Sequence, residues 1–529
     1  MHYINARQMK QINLSTIIIL GVSVFCISET HMEMACTIQK IWTVSCILLI
    51  LIIYPLYSFL IRPISVPIER TNKSICIIGF LEIVYSVVQL FGFLPNNYKY
   101  AYFSGSLNNP AVFGMLLSFC ITISTYLSFQ ARKGNYSWQI LSIIFAIFIV
   151  LSDSRTAIIA SLCGVTIVIA MKKHNSVVRL LKNRHLLSIT AVCLFIILFT
   201  LYFHKRGSAD GRLLIWNVCL DMIKEKPLLG WGIDGYTAQY MNYQADYLHS
   251  HPTSPFAMLA GETQNSFNEF LHIALVGGIP SAFIFLGILL GTMWYILRKK
   301  MNHYIVLFSI VVVFVIWCFF SYPLNIPFVW FLLLYVGLSI MPTAVKTPSS
   351  RIICLSVIGV SFYGFSRLII KETNDIQRVY LQEFLSKENG YLVLEKYGNA
   401  YNKFSNNGLF LYNYAALLHL YGEYEKSITI FKECSEYVND YNMMLIMGDD
   451  YQQLDIPDSA LTCYRRASEM VPNRFLPLYY QMVVYQEQGE YEHARDMAKN
   501  ILNKENKIEK SKIIKEIIRR ANKCLETSY

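Results

Sequence analysis

The chain has 529 residues, of which 54% are hydrophobic and 15% are charged, and its mean hydropathy is +0.38. This composition excludes an ordinary soluble globular protein and indicates a polytopic membrane protein. The net charge of +11 does not indicate nucleic-acid binding, because the basic residues lie mainly in short tracts between apolar runs, where membrane topology explains them.

Long apolar runs predict about eleven membrane spans and therefore an all-α, polytopic helical bundle. Their approximate positions are 12–28, 41–61, 75–94, 111–129, 138–151, 156–171, 186–203, 279–297, 304–320, 324–341 and 352–370. Alternate loops differ in charge: one set holds seventeen Lys and Arg residues, and the short loops of the other set hold three. The positive-inside rule therefore predicts a cytoplasmic N-terminus, with the long loop at 204–265 and the C-terminus on the outer side.

Two charged side chains stand out among the apolar runs. Glu82 shares one predicted helical face with Tyr85 and Gln89, which indicates a polar contact inside the bundle. Arg155, in the piece SDSRTA, lies within a turn of a predicted membrane boundary, where an unpaired cation is costly. Its partner is either Asp153, two residues away, or the phosphate of a lipid or substrate.

The long outer loop exceeds an ordinary connection and contains a helix pattern of its own. The pattern starts near Ser208 or Asp210, which are suitable caps, and must end before Pro227. Arg212 is then expected in the first turn, where a cation opposes the helix dipole by roughly 0.3–1 kcal/mol. Either Asp210 offsets that cost, or Arg212 shares an anionic ligand with the free amides of the helix start.

The same loop contains His249 and His251, with Asp246 nearby. Two histidines at this spacing bind a metal together only if a strand places them on one face, and no third ligand is evident. The sequence therefore predicts no metal site here.

Polar residues crowd the start of the next apolar run, in the stretch ETQNSFNEFLHIALVGGIP. Ser266 and Glu269 fit a capping box, and the residues from Gly277 to Pro280 end the helix that it would start. Asn268 and His272 lie four residues apart and therefore share a face of this short helix. The stretch is either the ordinary chemistry of starting a helix or a source of acid–base groups.

After residue 371 the apolar runs stop and a repeat pattern begins. With Tyr441 as position 1 of a 34-residue unit, positions 8, 11, 20, 24, 27 and 32 are Gly448, Tyr451, Ala460, Tyr464, Ala467 and Pro472. The pattern resembles the tetratricopeptide repeat, in which small residues let paired helices approach and aromatic residues fill the gap. It predicts a transmembrane domain at 1–371 and, at 372–529, an outward-facing α-solenoid with a capping helix near 508–525. A protein partner on its concave face is a hypothesis.

Four pieces of sequence occur together in the order and spacing of a known family, namely GSLNNPAVFG, SDSRTA, GRLLIWNVCLDMIKEKPLLGWGIDGY and NEFLHIALVGGIPS. The set resembles the O-antigen ligase and polymerase superfamily of bacterial envelope enzymes. The resemblance implies transfer of a glycan from an undecaprenyl-pyrophosphate carrier to an acceptor hydroxyl, on the periplasmic face of the inner membrane and without a cofactor. It implies that Arg155 and Arg212 hold the pyrophosphate, and Asn109 in the first piece is a further candidate.

The base that would deprotonate the acceptor is where the chain departs from the family. Ligase-type members carry a histidine and then a polar residue ahead of Gly-x-x-small; here Phe267 stands in the place of the histidine and Asn268 in the second place. Phenylalanine cannot accept a proton, so the base has moved, the mechanism differs, or the chain is inactive. The remaining candidates for the base are His272, Glu269, His249 and His251.

Several functions are consistent with this resemblance. The acceptor is a lipid, a polysaccharide or a protein, so a surface-polysaccharide polymerase and a protein O-oligosaccharyltransferase are alternatives to a ligase. Two alternatives lie outside this class. One is a glycan or lipid carrier, for which the spans offer few ionisable residues apart from Glu82. The other is a scaffold without catalysis. The scaffold leaves the outer-loop motifs unexplained.

Overall fold

A computed structural model describes residues 68–94, 96, 101–173, 201–299, 303–340, 390–505 and 511–526, together with isolated positions between 188 and 200. Helices are the regular elements throughout these residues, which confirms the all-α class. The predicted spans at 12–28, 41–61 and 352–370, and most of 186–203, lie outside the described residues.

The first nine described α-helices comprise seven apolar helices and two helices of the long loop. They are α1 (Ile68–Leu90), α2 (Pro110–Ser128), α3 (Ser137–Leu151), α4 (Arg155–Lys172), α5 (Arg206–Glu225), α6 (Gly235–Ser250), α7 (Glu269–Lys299), α8 (Tyr304–Phe320) and α9 (Pro327–Ile340). By length and composition, α1, α2, α4 and α7 can cross a membrane, while α3, α8 and α9 are shorter apolar helices. These helices support the membrane class.

Eight helices follow in the C-terminal region. They are α10 (Gly390–Phe404), α11 (Gly408–Leu420), α12 (Tyr424–Cys434), α13 (Tyr441–Gln453), α14 (Pro457–Met470), α15 (Leu476–Glu487), α16 (Tyr491–Leu502) and α17 (Lys512–Glu526). The chain divides into two compact units, Met1–Leu201 with Phe285–Tyr380, and Tyr202–Ile284 with Leu381–Tyr529. The long loop therefore belongs to the same unit as the C-terminal helices.

In the first unit α2 is the most buried helix, and it packs against α1, α3, α4 and α8. Two hydrogen bonds join helices of this unit: the indole of Trp317 in α8 donates to Ser118 Oγ of α2 at 3.0 Å, and the Tyr335 hydroxyl of α9 donates to Asn72 Oδ1 of α1 at 2.9 Å. Pairing of this kind satisfies polar groups that water does not reach in a membrane bundle.

Glu82 makes the polar contact that its position in α1 predicts. Its side chain is 5% exposed, and it accepts hydrogen bonds from the backbone amide of Ser106, at 3.0 Å, and from the Ser106 hydroxyl. Two turns along α1, Gln89 Oε1 accepts a 3.0 Å bond from the amide of Gly105. Helix α1 thereby orders the turn that leads into α2.

In the second unit the long loop is ordered because its helices pack on the C-terminal helices. Leu214, Tyr240 and Ala245 share one apolar core with Ala467 and Met470. Polar contacts reinforce this core at the junction of α6 and α14. Arg466 contacts the Asp246 carboxylate at 2.6 Å and donates to the Asn242 carbonyl at 2.9 Å, and Gln244 donates to the Met470 carbonyl at 2.7 Å.

The C-terminal helices pack as neighbouring antiparallel pairs joined by short turns, with α11 on α12, α13 on α14, and α15 on α16. In the second pair, the predicted spacing residues Ala460, Tyr464 and Ala467 are all 0% exposed. Near the predicted capping helix, α17 runs over Lys512–Glu526 and packs on α16. The local packing therefore follows the small-and-aromatic pattern.

A partly buried histidine in these helices pairs with a buried carboxylate, and we expect this pair to make the stability of the second unit depend on pH. Asp450 is 0% exposed, lies with Oδ1 2.7 Å from His419 Nδ1, and accepts a 2.6 Å hydrogen bond from Ser427. The hydrogen bond to Asp450 raises the pKa of His419 above its ordinary value. Because the folded-state pKa is raised, His419 contributes stability below its unfolded pKa of about 6.5, and this contribution is lost as pH rises through the folded pKa.

We expect the Tm difference between the wild type and His419→Gln to be largest near about pH 5 and to shrink as pH rises through the raised pKa of His419. The measurement is thermal unfolding of both proteins between about pH 5 and pH 9. His493→Gln is the matched control, since His493 is a 65% exposed histidine of the same unit. A Tm difference that stays constant with pH would contradict the assigned role of the pair.

Candidate functional site

Helix α5 carries Arg212 and begins earlier than the sequence predicts. Its first residue is Arg206, and no side chain caps it. The predicted start at Ser208 or Asp210 is wrong, because the Asp210 carboxylate accepts from the Tyr202 hydroxyl at 2.8 Å and from Arg206 Nε at 3.3 Å instead of capping amides. Arg212 therefore lies in the second turn, beyond the free amides of the helix start. The predicted end of α5 before Pro227 is confirmed.

The capping box at the start of α7 is also wrong. Asn268 is the residue that caps this helix, because its Oδ1 accepts from the amides of Phe270 and Leu271 at 3.0 and 3.1 Å. Ser266 instead donates to the Asn268 carbonyl at 2.8 Å. Glu269 is the first residue of α7 and is 3% exposed. The Asn268 carboxamide oxygen is thus engaged in the backbone of the helix start.

The predicted break in α7 is confirmed at Gly277 and Gly278, which have non-helical backbone angles. The loop after α5 closes over this break. Trp231 donates its amide to the Leu275 carbonyl at 2.6 Å, and Ile279 donates to the Pro227 carbonyl at 2.7 Å. The carbonyls that the broken helix leaves unpaired therefore find partners in the loop. We call this arrangement, residues 227–232 against 275–279, the latch.

Two aromatic side chains hold the segment that precedes α7. The Trp216 indole of α5 donates to the Ser266 carbonyl at 3.1 Å, and the Tyr236 hydroxyl of α6 donates to the Asn265 carbonyl at 3.1 Å. Tyr236 is 2% exposed and stacks on Tyr240 with 4.8 Å between ring centroids. The segment is therefore fixed from both loop helices.

Arg212 and Phe267 contact each other within this arrangement. The guanidinium carbon of Arg212 lies 5.3 Å from the centroid of the Phe267 ring, within the range of a cation–π interaction. Phe267 adopts a left-handed backbone angle, with φ of 52°. The aromatic residue that stands in the place of the family histidine thus packs against a cation of α5.

His272 lies one turn into α7 and is half-buried. Its imidazole meets the Tyr236 ring edge to face, with 6.2 Å between the centroids. The imidazole has no hydrogen bond within the part of the chain that the structure describes. Among the candidates for the base, His272 is therefore the histidine whose ring contacts Tyr236, the residue that also holds the segment ahead of α7.

The other two histidines lie elsewhere in the second unit, at the end of α6. His249 Nδ1 is 3.1 Å from the Glu469 carboxylate, and the side chain is 74% exposed. His251 follows the last residue of α6, and its Nδ1 lies 2.9 Å from the Tyr247 carbonyl. Both belong to a helix and its cap, so no strand places them on one face.

Arg155 and Asn109 belong to the first unit. Arg155 is the first residue of α4, after the cap Ser154, and its Nη1 lies 3.5 Å from the Leu201 carbonyl. Asp153 is close enough to interact with it electrostatically. Asn109 caps α2, accepting from the amide of Ala111 at 2.9 Å, and its Nδ2 lies 3.5 Å from the Tyr322 hydroxyl. Both predicted residues therefore sit at helix starts that follow short turns.

Sequence reasoning missed the supporting residues of this site, Trp216, Tyr236 and Trp231. The sequence does contain a signal for these residues, because indole and phenol groups in a polar loop need both apolar side chains to pack against and a hydrogen-bond partner. The structure supplies both: the Trp231 indole packs against the apolar core of this unit and donates to the Met222 carbonyl at 2.9 Å. Lys226 Nζ lies 3.8 Å from the centroid of its ring.

Apolar helices long enough to cross a membrane, joined to an ordered unit that holds the long loop, define a multi-helix membrane protein. Residues 140–286 match the O-antigen ligase family model. The match supports the O-antigen ligase superfamily, and it includes Arg155, Arg212 and His272, whereas Asn109 and the C-terminal helices lie outside it. No curated protein matches the chain.

Proposed function

We propose that the protein is a membrane glycosyltransferase that moves a glycan from a polyprenyl-pyrophosphate carrier to an acceptor hydroxyl. The observation that carries the proposal is the contact of Arg212 with Phe267. Phe267 lies directly ahead of the helix turn that presents His272. All three residues lie inside the segment that matches the O-antigen ligases. The acceptor is a lipid, a polysaccharide or a protein.

In this reaction the protein chiefly stabilises the charge that develops on the leaving group and helps to deprotonate the acceptor. The acceptor oxygen bonds to the anomeric carbon of the donor sugar while the bond from that carbon to the pyrophosphate oxygen breaks. The polyprenyl pyrophosphate leaves with the bonding electrons, and the hydroxyl proton passes to a base. Arginines suit the developing charge, because their planar guanidinium groups pair with two phosphate oxygens at once.

In this proposal Arg212 and Arg155 hold the pyrophosphate, and His272 takes the proton. Arg212 would bind the phosphate with its side chain alone, because it lies in the second turn of α5 and not among the free amides of the helix start. His272 is preferred to Glu269, because that carboxylate is 3% exposed and opens the first turn of α7, where an acidic group stabilises the helix dipole. Asn268 is assigned to capping and not to catalysis.

The second unit bears on the side of the membrane where the proposed reaction takes place. Because the long loop and the C-terminal helices form one folded unit, both must lie on the same side of the membrane. We propose that this side is the periplasm, with the N-terminus in the cytoplasm, as the loop charges favour. The C-terminal helices, as tetratricopeptide-like repeats, would hold the acceptor or a protein partner beside the membrane.

The test of this function is a transfer assay on membranes that contain the full chain, with extracted lipid-linked glycan as donor. We expect His272→Gln to lower the transfer rate by about 10²–10⁴-fold, the usual contribution of a general base. His493→Gln, an exposed histidine of α16, is the matched control and should transfer at the wild-type rate.

The outcomes separate the parts of the proposal. Wild-type membranes that transfer no glycan would refute the function itself. A wild-type rate in His272→Gln together with a large loss in Glu269→Gln would move the base to Glu269. A carrier without catalysis predicts movement of intact lipid-linked glycan and no new glycosidic bond.

A further inference from the structure

A cavity of about 490 Å³ lies within the second unit, away from the start of α7. Four pieces of chain form its walls: the loop segment at 260–262, the start of α13, the turn between α14 and α15, and the start of α17. Its volume falls within the range of about 300–1,000 Å³ that small-ligand sites occupy. The residues assigned to the proposed reaction do not line it.

Charged groups of both signs are among the residues that line this cavity. Asn442 Nδ2 lies 3.5 Å from Glu262 Oε1, at the start of α13. Arg474 is exposed, interacts electrostatically with Glu262 and Tyr441, and has no side-chain hydrogen bond or ion pair among the described residues. The lining therefore offers a carboxylate, an amide and a guanidinium.

Tyr441 also lines the cavity and carries an unsatisfied hydroxyl group. The residue is 5% exposed, and its hydroxyl is a buried oxygen with no hydrogen-bond partner in the described part of the chain. Leaving such a group unpaired is costly, so a buried hydroxyl of this kind usually has a ligand, water or protein partner. The orphan hydroxyl is an observation independent of the cavity itself.

Apolar side chains also line the cavity. They include Phe475 and three isoleucines of α17, Ile513, Ile514 and Ile517. Ile513 is 65% exposed, although apolar side chains gain from burial. The lining of the cavity therefore combines apolar and polar side chains.

We propose that this cavity binds a neutral, hydroxyl-rich glycan segment. A sugar ring has an apolar face of C–H groups and an edge of hydroxyls that both donate and accept, which suits a lining of mixed apolar and polar side chains. Glu262 disfavours an anionic ligand, and Arg474 disfavours a cationic one. The inference rests on the proposed glycan transfer, and the glycan belongs either to the donor or to the acceptor.

The test is direct binding to the full chain in detergent, read by fluorescence anisotropy. One labelled probe is the oligosaccharide that mild acid releases from the lipid-linked pool of the source cells, which represents the donor. The other is a lipid-free fragment of the surface polysaccharide of those cells, which represents the acceptor. A labelled mixture of short peptides is the third probe.

We expect one or both oligosaccharides to bind, and Arg474→Ala and Asn442→Ala each to weaken binding at least about tenfold, since each removes hydrogen bonds to the ligand. Arg465→Ala, an exposed arginine of α14 outside the cavity, should bind as the wild type does. Tyr441→Phe preserves the ring and removes only the orphan hydroxyl, so it should weaken binding without loss of folded protein.

Binding of peptides alone, absence of oligosaccharide binding, or equal affinity in all variants would overturn the proposal. The same preparations are assayed for transfer. Transfer without cavity-dependent binding refutes the cavity and leaves the transferase standing, whereas cavity-dependent binding without transfer refutes the transferase and leaves the glycan site standing.

Discussion

Replacing Arg212 with alanine is expected to lower glycan transfer by at least about a hundredfold while leaving the protein folded. Loss of one group that stabilises developing charge in an active site costs roughly 2.7–4 kcal/mol. The substitution removes the cation–π interaction of the guanidinium with the Phe267 ring and should leave α5 intact, because alanine is the best helix former. The measurement is the initial rate of transfer from lipid-linked glycan in membranes.

Arg206→Ala is the matched control for this prediction. Arg206 is a 66% exposed arginine of the same helix, and it pairs with Asp210 by a contact that is worth little at the surface. Arg155→Ala tests the second proposed phosphate ligand in the same assay. Transfer at the wild-type rate in both Arg212→Ala and Arg155→Ala would remove both arginines from the mechanism.

Replacing Gly278 with alanine is expected to destabilise the protein by at least about 3 kcal/mol. Gly278 has φ of 78° and ψ of 171°, a region that only glycine occupies readily. A Cβ atom there would also lie 2.1 Å from the Leu228 carbonyl oxygen across the latch. The expected result is a lowered Tm and a reduced yield of monodisperse protein, measured by thermal unfolding and size-exclusion chromatography in detergent.

Gly291→Ala is the control within the same helix, because a Cβ atom at Gly291 meets nothing within 4 Å. Alanine at this helical position should be neutral or slightly stabilising. A second latch variant, Gly230→Ala, should resemble Gly278→Ala, since Gly230 has φ of 68° and its Cβ would lie 2.5 Å from the Leu275 carbonyl oxygen. Equal Tm values for Gly278→Ala and Gly291→Ala would show that the latch is dispensable.

The two loop motifs of the family resemblance have a shared physical basis in this latch. The piece GWG follows α5, and the piece GGIP interrupts α7; the backbone of each completes the hydrogen bonds of the other. The sequence predicts the break at Gly277 to Pro280 as an interruption of the helix by its own glycine and proline residues. The break is also the place where residues 227–232 contact α7, and only the tertiary structure shows where those residues lie.

Local rules settled some features of this protein and failed at others for a common reason. The apolar runs at α2, α3 and α4 and the turn between α3 and α4 follow from the length and composition of the chain alone. Both predicted caps, at Asp210 and at Ser266, fit the local patterns and were still wrong. Asp210 accepts from Tyr202 and Arg206, and the Asn268 carboxamide caps α7 while the Ser266 hydroxyl donates to the Asn268 carbonyl.

By itself, the sequence determined the all-α class, the placement of the apolar helices among the described residues and the break in α7. The length of an apolar run, a proline and a glycine each act on neighbours within a turn or two. Only the tertiary structure decided that the long loop folds with the C-terminal helices, that Phe267 packs on Arg212, and that Asn268 caps a helix. These features depend on contacts between residues tens to hundreds of positions apart, whose pairing no local pattern specifies.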